Sequence, residues 1–147
     1  MRVIIQKVKR ASVTVNNQII SSIGPGLLIL VGLTHSDSEL EIDKMVSKIV
    51  SLRLFQEEEK HWKKSVKAND FEILSVSQFT LYAKTSKGSK PDFHLAMKAD
   101  FSKPLYELFL RKLEALHPKV KDGEFGAMMD VELVNDGPVT IILDSEN

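Results

Sequence analysis

Two polar segments interrupt otherwise apolar stretches of the chain, Ser75-Val-Ser-Gln-Phe-Thr-Leu81 and Asn135-Asp-Gly-Pro-Val-Thr140. A strand that ends in hydroxyl and amide side chains, and a Gly-Pro corner leading into another strand, are the parts of a small site built largely from backbone. If residues 71–81 are extended throughout, Ile73, Ser75, Ser77, Phe79 and Leu81 face one way, and Leu74, Val76, Gln78 and Thr80 face the other. A bulge, or a turn into a helix at Gln78, would break that alternation and aim several N–H groups at one point. Such an oxyanion hole suits cleavage of an acyl ester. A lone Ser or Thr on a strand is ordinarily surface decoration. Thr80 has no general base close by in sequence, so polarisation of a carbonyl by the backbone is favoured over covalent attack by Thr80. Gly137-Pro138 taken alone is a turn, and local sequence predicts a trans bond there and at Gly24-Pro25.

The commoner catalytic sets are missing. His35, His61, His94 and His117 are scattered without HExxH or paired-ligand spacing, and the absence of cysteine removes thiolate nucleophiles and Cys-based zinc sites. No GxGxxG follows a strand, and there is no Walker loop or GxSxG elbow, which argues against dinucleotide, nucleoside triphosphate and α/β-hydrolase chemistry. The chain is expected to work with no metal and no cofactor. Lys plus Arg and Asp plus Glu each number 20, so no global field draws it to nucleic acid or an anionic membrane. An anionic partner must meet a local patch. The candidate is Lys84-Thr-Ser-Lys-Gly-Ser-Lys90, which follows the first segment and reads either as a contact to RNA phosphates or as a solvated loop.

These segments need a scaffold. A chain of 147 residues, 43% hydrophobic and 27% charged, is expected to form a single domain over residues 1–147 with a real core. The opening Met1-Arg-Val-Ile-Ile-Gln-Lys-Val8 runs straight into a strand pattern without a secretory signal, and no apolar run nears the roughly 20 residues of a membrane span. A cytoplasmic, soluble protein with no membrane partner is expected. Alternation over residues 2–8 and again over 11–15, up to Asn16-Asn17, reads as an antiparallel hairpin, followed by a strand at 18–23. Residues 27–33 form an apolar run suited to a strand buried on both faces. Ser36 with Glu39, or Ser38 with Glu41, has capping-box spacing before Ile42, Met45, Val46, Ile49 and Val50. A second helix is expected to start at Ser102-Lys103-Pro104 and to carry a stripe of Leu105, Leu108, Phe109, Lys112, Leu113 and Leu116, ending before His117-Pro118. Further strands are expected at 52–55, 71–81, 128–135 and 139–143. The fold class is α+β: a mixed, largely antiparallel sheet closing into an open barrel, with two or three outer helices.

With both polar segments in view, the chain resembles the D-aminoacyl-tRNA deacylase family. The likeness spans essentially the whole chain: Val3-Ile-Ile-Gln-Lys-Val8 with Ala11-Ser-Val-Thr-Val15, Leu30-Val-Gly-Leu33, Ser77-Gln-Phe-Thr-Leu81, Gly123-Glu-Phe-Gly-Ala-Met-Met129 and Asn135-Asp-Gly-Pro-Val-Thr140. The signatures SQFTL and NxGPxT match in full and in order. The resemblance implies a homodimer that hydrolyses the ester between a D-amino acid, or glycine, and the 3′-terminal adenosine of tRNA. It implies a cis Gly137-Pro138 bond, against the local reading, with the corner inserted into the partner subunit's pocket. Ser77, Gln78, Phe79 and Thr80 would line that pocket from the other subunit. The region 126–129, with Ala127, Met128 and Met129, would lie against the adenosine. The family mechanism it implies has Phe79 and Thr80 N–H groups on the oxyanion and a water activated by the adenosine's own 2′-hydroxyl.

Chiral selection has a simple physical basis. D- and L-aminoacyl esters differ only in where the side chain leaves Cα, so a rigid wall beside Cα rejects one by clash and admits the other, along with glycine. A corner of one residue without a side chain and one with a locked φ is such a wall. Two other readings stay open: an RNA-binding module without turnover, which would need exposed stacking aromatics, and a structural dimer whose Gly-Pro segment only packs subunits.

Overall fold

A computed structural model describes residues 1–147. In chain order it runs β1 (Arg2–Val15), β2 (Gln18–Ile23), β3 (Gly26–Gly32), α1 (Glu39–Ser51), β4 (Phe55–Glu57), β5 (Lys60–Lys64), β6 (Glu72–Ser77), a 3-10 turn (Phe79–Tyr82), α2 (Ala99–Leu116), β7 (Val120–Asp122) and β8 (Asp130–Asp144). Strand β1 organises the sheet. Its first half pairs with β3, its second half with β2, and β8 runs antiparallel along its other edge. Beyond β3 come β6 and β7, both parallel to their neighbours. The sheet curls until Lys121 Nζ of β7 donates to the Ser22 carbonyl of β2 at 2.6 Å, which nearly closes a barrel. β4 and β5 form a separate hairpin.

The apolar run at β3 is buried on both faces because the sheet has a core on each side. Val3, Ile5, Leu27, Ile29 and Ile73 pack under α1 and α2, while Val8, Ala11, Val13, Leu28, Leu74 and Val76 fill the opposite, concave side. Helix α1 buries Ile42, Met45, Val46, Ile49 and Val50, the stripe its spacing predicts. Its cap is the later of the two candidates: the Ser38 N–H and hydroxyl donate to Glu41 Oε2 at 2.7 and 2.6 Å.

Five expectations are corrected. Residues 2–8 and 11–15 are one strand bent by register shifts, and the hairpin turn is Asn16-Asn17, where two positive φ angles match the twist of the flanking strands. Helix α2 begins at Ala99, so Pro104 sits in its second turn rather than marking its start. Phe109 and Leu113 of the predicted stripe are fully buried together with Tyr106, which the stripe did not include, while Leu105, Leu108 and Leu116 are half-buried. Lys112 of that stripe leaves the core to bond Glu39 and Asp43 of α1 at 2.8 and 2.6 Å. Of the strand expected at 52–55, only Phe55 belongs to a strand, and it starts the β4–β5 hairpin. The strands expected at 128–135 and 139–143 are one strand, β8.

Candidate active site

The strand expected over residues 71–81 stops at Ser77, and the turn that was its alternative forms instead. Ser77 lies opposite Val31, and the Gln78 N–H donates the last bond of that ladder to the Val31 carbonyl at 2.7 Å. The chain then folds back over the end of β3. Glycine suits this approach, because a Cβ on Gly32 would lie 3.0 Å from both the Gln78 carbonyl oxygen and Leu81 Cβ, so that the turn would have to give by a few tenths of an ångström. Within the turn, the Leu81 N–H reaches Gln78 O at 3.3 Å and the Ala83 N–H reaches Thr80 O at 3.1 Å. The first N–H groups of any helical turn have no partner inside it, and those of Phe79 and Thr80 have none elsewhere in the chain. Two donors are therefore left open side by side. Thr80 Oγ1 accepts from Gln78 Nε2 and has no carboxylate or imidazole against it, so no base activates the hydroxyl.

The turn is braced from behind by a residue that the sequence reading missed. Arg2 Nη1 donates to the Leu81 carbonyl at 2.6 Å, Arg2 Nε donates to Asp144 at 3.0 Å, and the guanidinium lies 4.6 Å from the centre of the Tyr82 ring. A single arginine at the second position carries no pattern that would point to this.

A buried network holds the neighbouring segment. The Tyr106 hydroxyl of α2 donates to Asp122 Oδ1 at 2.6 Å, and with its proton so committed it accepts from Ser75 Oγ at 2.9 Å. Burial, then the Asp122 charge, pushes the Tyr106 phenol up, and burial pushes the Asp122 carboxyl up as well. The Gly123 N–H continues the pairing to the Ser75 carbonyl at 2.9 Å. Residues 123–129 thereby start beside Ser75 of β6 and turn at Gly126 with φ +77°. Ala127 closes that turn on Glu124 O at 3.2 Å, Met129 Sδ lies 3.4 Å from the Glu124 nitrogen, and Met128 stands 93% exposed. Replacing Tyr106 by phenylalanine strands Ser75 and Asp122, and should cost about 1–3 kcal/mol. Thermal melts read this as roughly 2–4 °C for each kcal/mol, and an unchanged midpoint would contradict it.

Gly137 and Pro138 lie elsewhere. Val8 pairs with Asn135 and Gln6 with Thr140, so residues 136–139 bulge from β8 opposite Lys7. The Gly137-Pro138 bond is cis, which corrects the trans reading from local sequence, and Gly137 has φ +125°. Lys7 Nζ lies 3.8 Å from Asp136 Oδ2 and over the Phe55 ring at 5.2 Å. Through Leu27, the corner is level with Ile73 at the start of β6. That is four residues, about 13 Å along the strand, from Ser77, with β1 and β3 in between. One chain thus groups Ser77, Gln78, Phe79 and Thr80 at the end of β6, ties Gly123 to Ser75 two residues before them, and leaves Gly137 and Pro138 outside. Two concavities of the chain, one lined by Ile19, Ile20, Ser21 and Ser22 with Lys121 and Asp122, the other by Phe71, Glu72, Pro118 and their neighbours, include none of these residues.

The family model described as D-Tyr-tRNA(Tyr) deacylase matches residues 4–144. The chain belongs to this deacylase family. It is 56% identical to a D-aminoacyl-tRNA deacylase of Saccharomyces cerevisiae over 149 residues, covering 99% of each chain. It is 53% identical to a D-aminoacyl-tRNA deacylase of Drosophila melanogaster, covering 99% of this chain and 92% of that one. A solved structure described as c-Myc DNA Unwinding Element Binding Protein has a TM-score of 0.93 at 48% identity, covering 98% of each chain. The family assignment read from SQFTL and NxGPxT stands, and both motifs fall inside the matched span. In this deacylase-family chain they occupy two separate places: the end of β6, and a bulge on β8.

Proposed function

We propose that residues 1–147 act as one deacylase domain that hydrolyses the ester between a D-amino acid, or glycine, and the 3′-terminal adenosine of tRNA. The products are free amino acid and tRNA. The observation that carries this reading is the pair of open N–H groups at Phe79 and Thr80. Water attacks the ester carbonyl, its oxygen gathers charge against these two donors, the bond to the ribose 3′-oxygen breaks, and a proton goes to that oxygen. Donors already in place cost no reorganisation as charge develops, and one such donor is worth about 100- to 1,000-fold in kcat. The 2′-hydroxyl beside the ester handles the proton, since Thr80 has no base against it. No metal or cofactor enters the reaction.

The working unit is a homodimer. The corner at Gly137-Pro138 is too far from its own Ser77 to wall the same pocket, so a second copy brings it there. The outer edge of β8 offers a surface for that copy, with Ile142 on this strand and Met128 just before it 67% and 93% exposed. The corner stands beside Cα and excludes L-aminoacyl groups by clash, while Ala127, Met128 and Met129 line the adenosine side. No helix is long and apolar enough to cross a membrane; the location proposed for the activity is the cytoplasm, a reducing compartment that a cysteine-free chain suits.

Release of free amino acid from D-tyrosyl-tRNA by the purified protein tests this reading. RNA binding without release would sink it and favour a binding module. Thr80→Ala should keep turnover within about tenfold of wild type, the loss of one neutral hydrogen bond costing about 0.5–1.5 kcal/mol. Abolished turnover with intact folding would instead give the hydroxyl a chemical role.

A further inference from the structure

Two phenylalanines stand exposed beside the candidate oxyanion donors. Phe79, which opens the turn, is 57% exposed, and Phe93 is 38% exposed. Their ring centres are 5.2 Å apart at 71°, an edge-to-face contact that leaves a ring face free. Phe93 is held in place. Asp92 before it exchanges two backbone hydrogen bonds with Lys84, at 2.8 and 2.9 Å, which closes the loop 84–92. Asp92 turns its carboxylate to the His94 N–H at 2.8 Å, and the His94 carbonyl is met by His35 Nε2 at 2.7 Å. The closed loop carries Lys84, Lys87 and Lys90, all exposed and none within salt-bridge reach of a carboxylate.

A free aromatic face next to unpaired cations at the rim of a site is the pairing that single-stranded nucleic acid fits. Bases stack on the ring, and phosphates meet the lysines. Resting on the deacylase reading, we propose that Phe93 and the loop 84–92 bind the nucleotide that precedes the terminal adenosine of tRNA. The base of that nucleotide stacks on Phe93, while Lys87 and Lys90 meet the adjoining phosphates. The ring that packs on Phe79 thereby sets how far the 3′ end enters the site, and it reads stacking rather than base identity.

The test compares two substrates, D-tyrosyl-tRNA and D-tyrosyl-adenosine, which lacks every other nucleotide. Phe93→Ala should lower kcat/KM on the tRNA by about 5- to 100-fold through KM, the usual worth of one stacked base. It should leave the adenosine ester unchanged, and Phe93→Trp should restore the tRNA value. Replacing Lys87 and Lys90 by serine should lower the tRNA value alone and flatten its salt dependence. An equal loss of Phe93→Ala on both substrates would reduce Phe93 to packing for Phe79, and no loss on either would remove it from binding; both outcomes overturn the proposal. If wild type hydrolyses neither substrate, the deacylase reading fails. Quenching of a Phe93→Trp indole by an uncharged tRNA 3′-end oligonucleotide then decides the stacking claim by itself: quenching upholds it and its absence overturns it.

Discussion

Phe79→Pro should lower kcat on D-tyrosyl-tRNA by about 100- to 1,000-fold, the loss expected when one oxyanion donor is removed. Proline deletes the N–H together with the aromatic ring and keeps the turn. Phe79 is the first residue of the turn, where a proline is tolerated because the N–H has no partner within the turn. Gln78 before it, at φ −148° and ψ 86°, lies outside the helical region that a following proline disfavours. The control is Phe79→Ala, which removes the ring but keeps the donor. That variant should lose no more than about tenfold, the worth of an aromatic pair being about 0.5–1.5 kcal/mol. Single-turnover hydrolysis beside circular dichroism separates the two effects. Equal losses would assign the chemistry to the ring, and a fully active proline variant would remove the backbone from it.

The second large effect is expected at Gly137. Its φ of +125° is one that side chains rarely adopt, and a Cβ there would lie 2.9 Å from Val139 Cγ2 and 3.0 Å from the Val139 nitrogen. Gly137→Ala therefore has to shift the corner, at a local cost of about 1–3 kcal/mol. A displacement near 1 Å at a wall beside the reacting carbon is enough for about 100-fold in rate. We expect kcat/KM on D-tyrosyl-tRNA to fall by about that factor, in a protein that still melts cooperatively because the corner bulges from the sheet rather than packing in its core. Unchanged turnover with unchanged D-to-L preference would mean that the corner lies away from the pocket.

Where local rules and tertiary packing agree, the sequence is readable. The Ser38–Glu41 box and the five apolar residues after it describe α1 because capping and periodicity are both local. The run of β3 is legible for the same reason. Its apolar residues have no polar alternation, and a strand between two cores needs none. The turn at Gln78 was one of two open alternatives, and it lies close over Gly32 on the neighbouring strand, a contact no local pattern contains. The network of Ser75, Tyr106 and Asp122 joins residues 31 and 16 positions apart, and Arg2 reaches Leu81 and Asp144 across 79 and 142. Such bonds follow from the closing of the sheet and leave no spacing to find. Strand β7, three residues long, is too short to alternate visibly, yet it carries Asp122 and leads into Gly123, which bonds Ser75 of β6.

The separation of the two motifs was legible only as a resemblance, and the register of β1 against β8 gives it a physical basis. In the function proposed above, a wall on one strand and a pair of donors on another meet across two copies, so that the acyl group is sorted by hand before it is hydrolysed. Purified protein incubated with matched D- and L-tyrosyl-tRNA, with free tyrosine followed over time, tests that claim most directly. The account predicts rapid release from the D-ester and background release from the L-ester. Equal release from both, or release from neither, would contradict it.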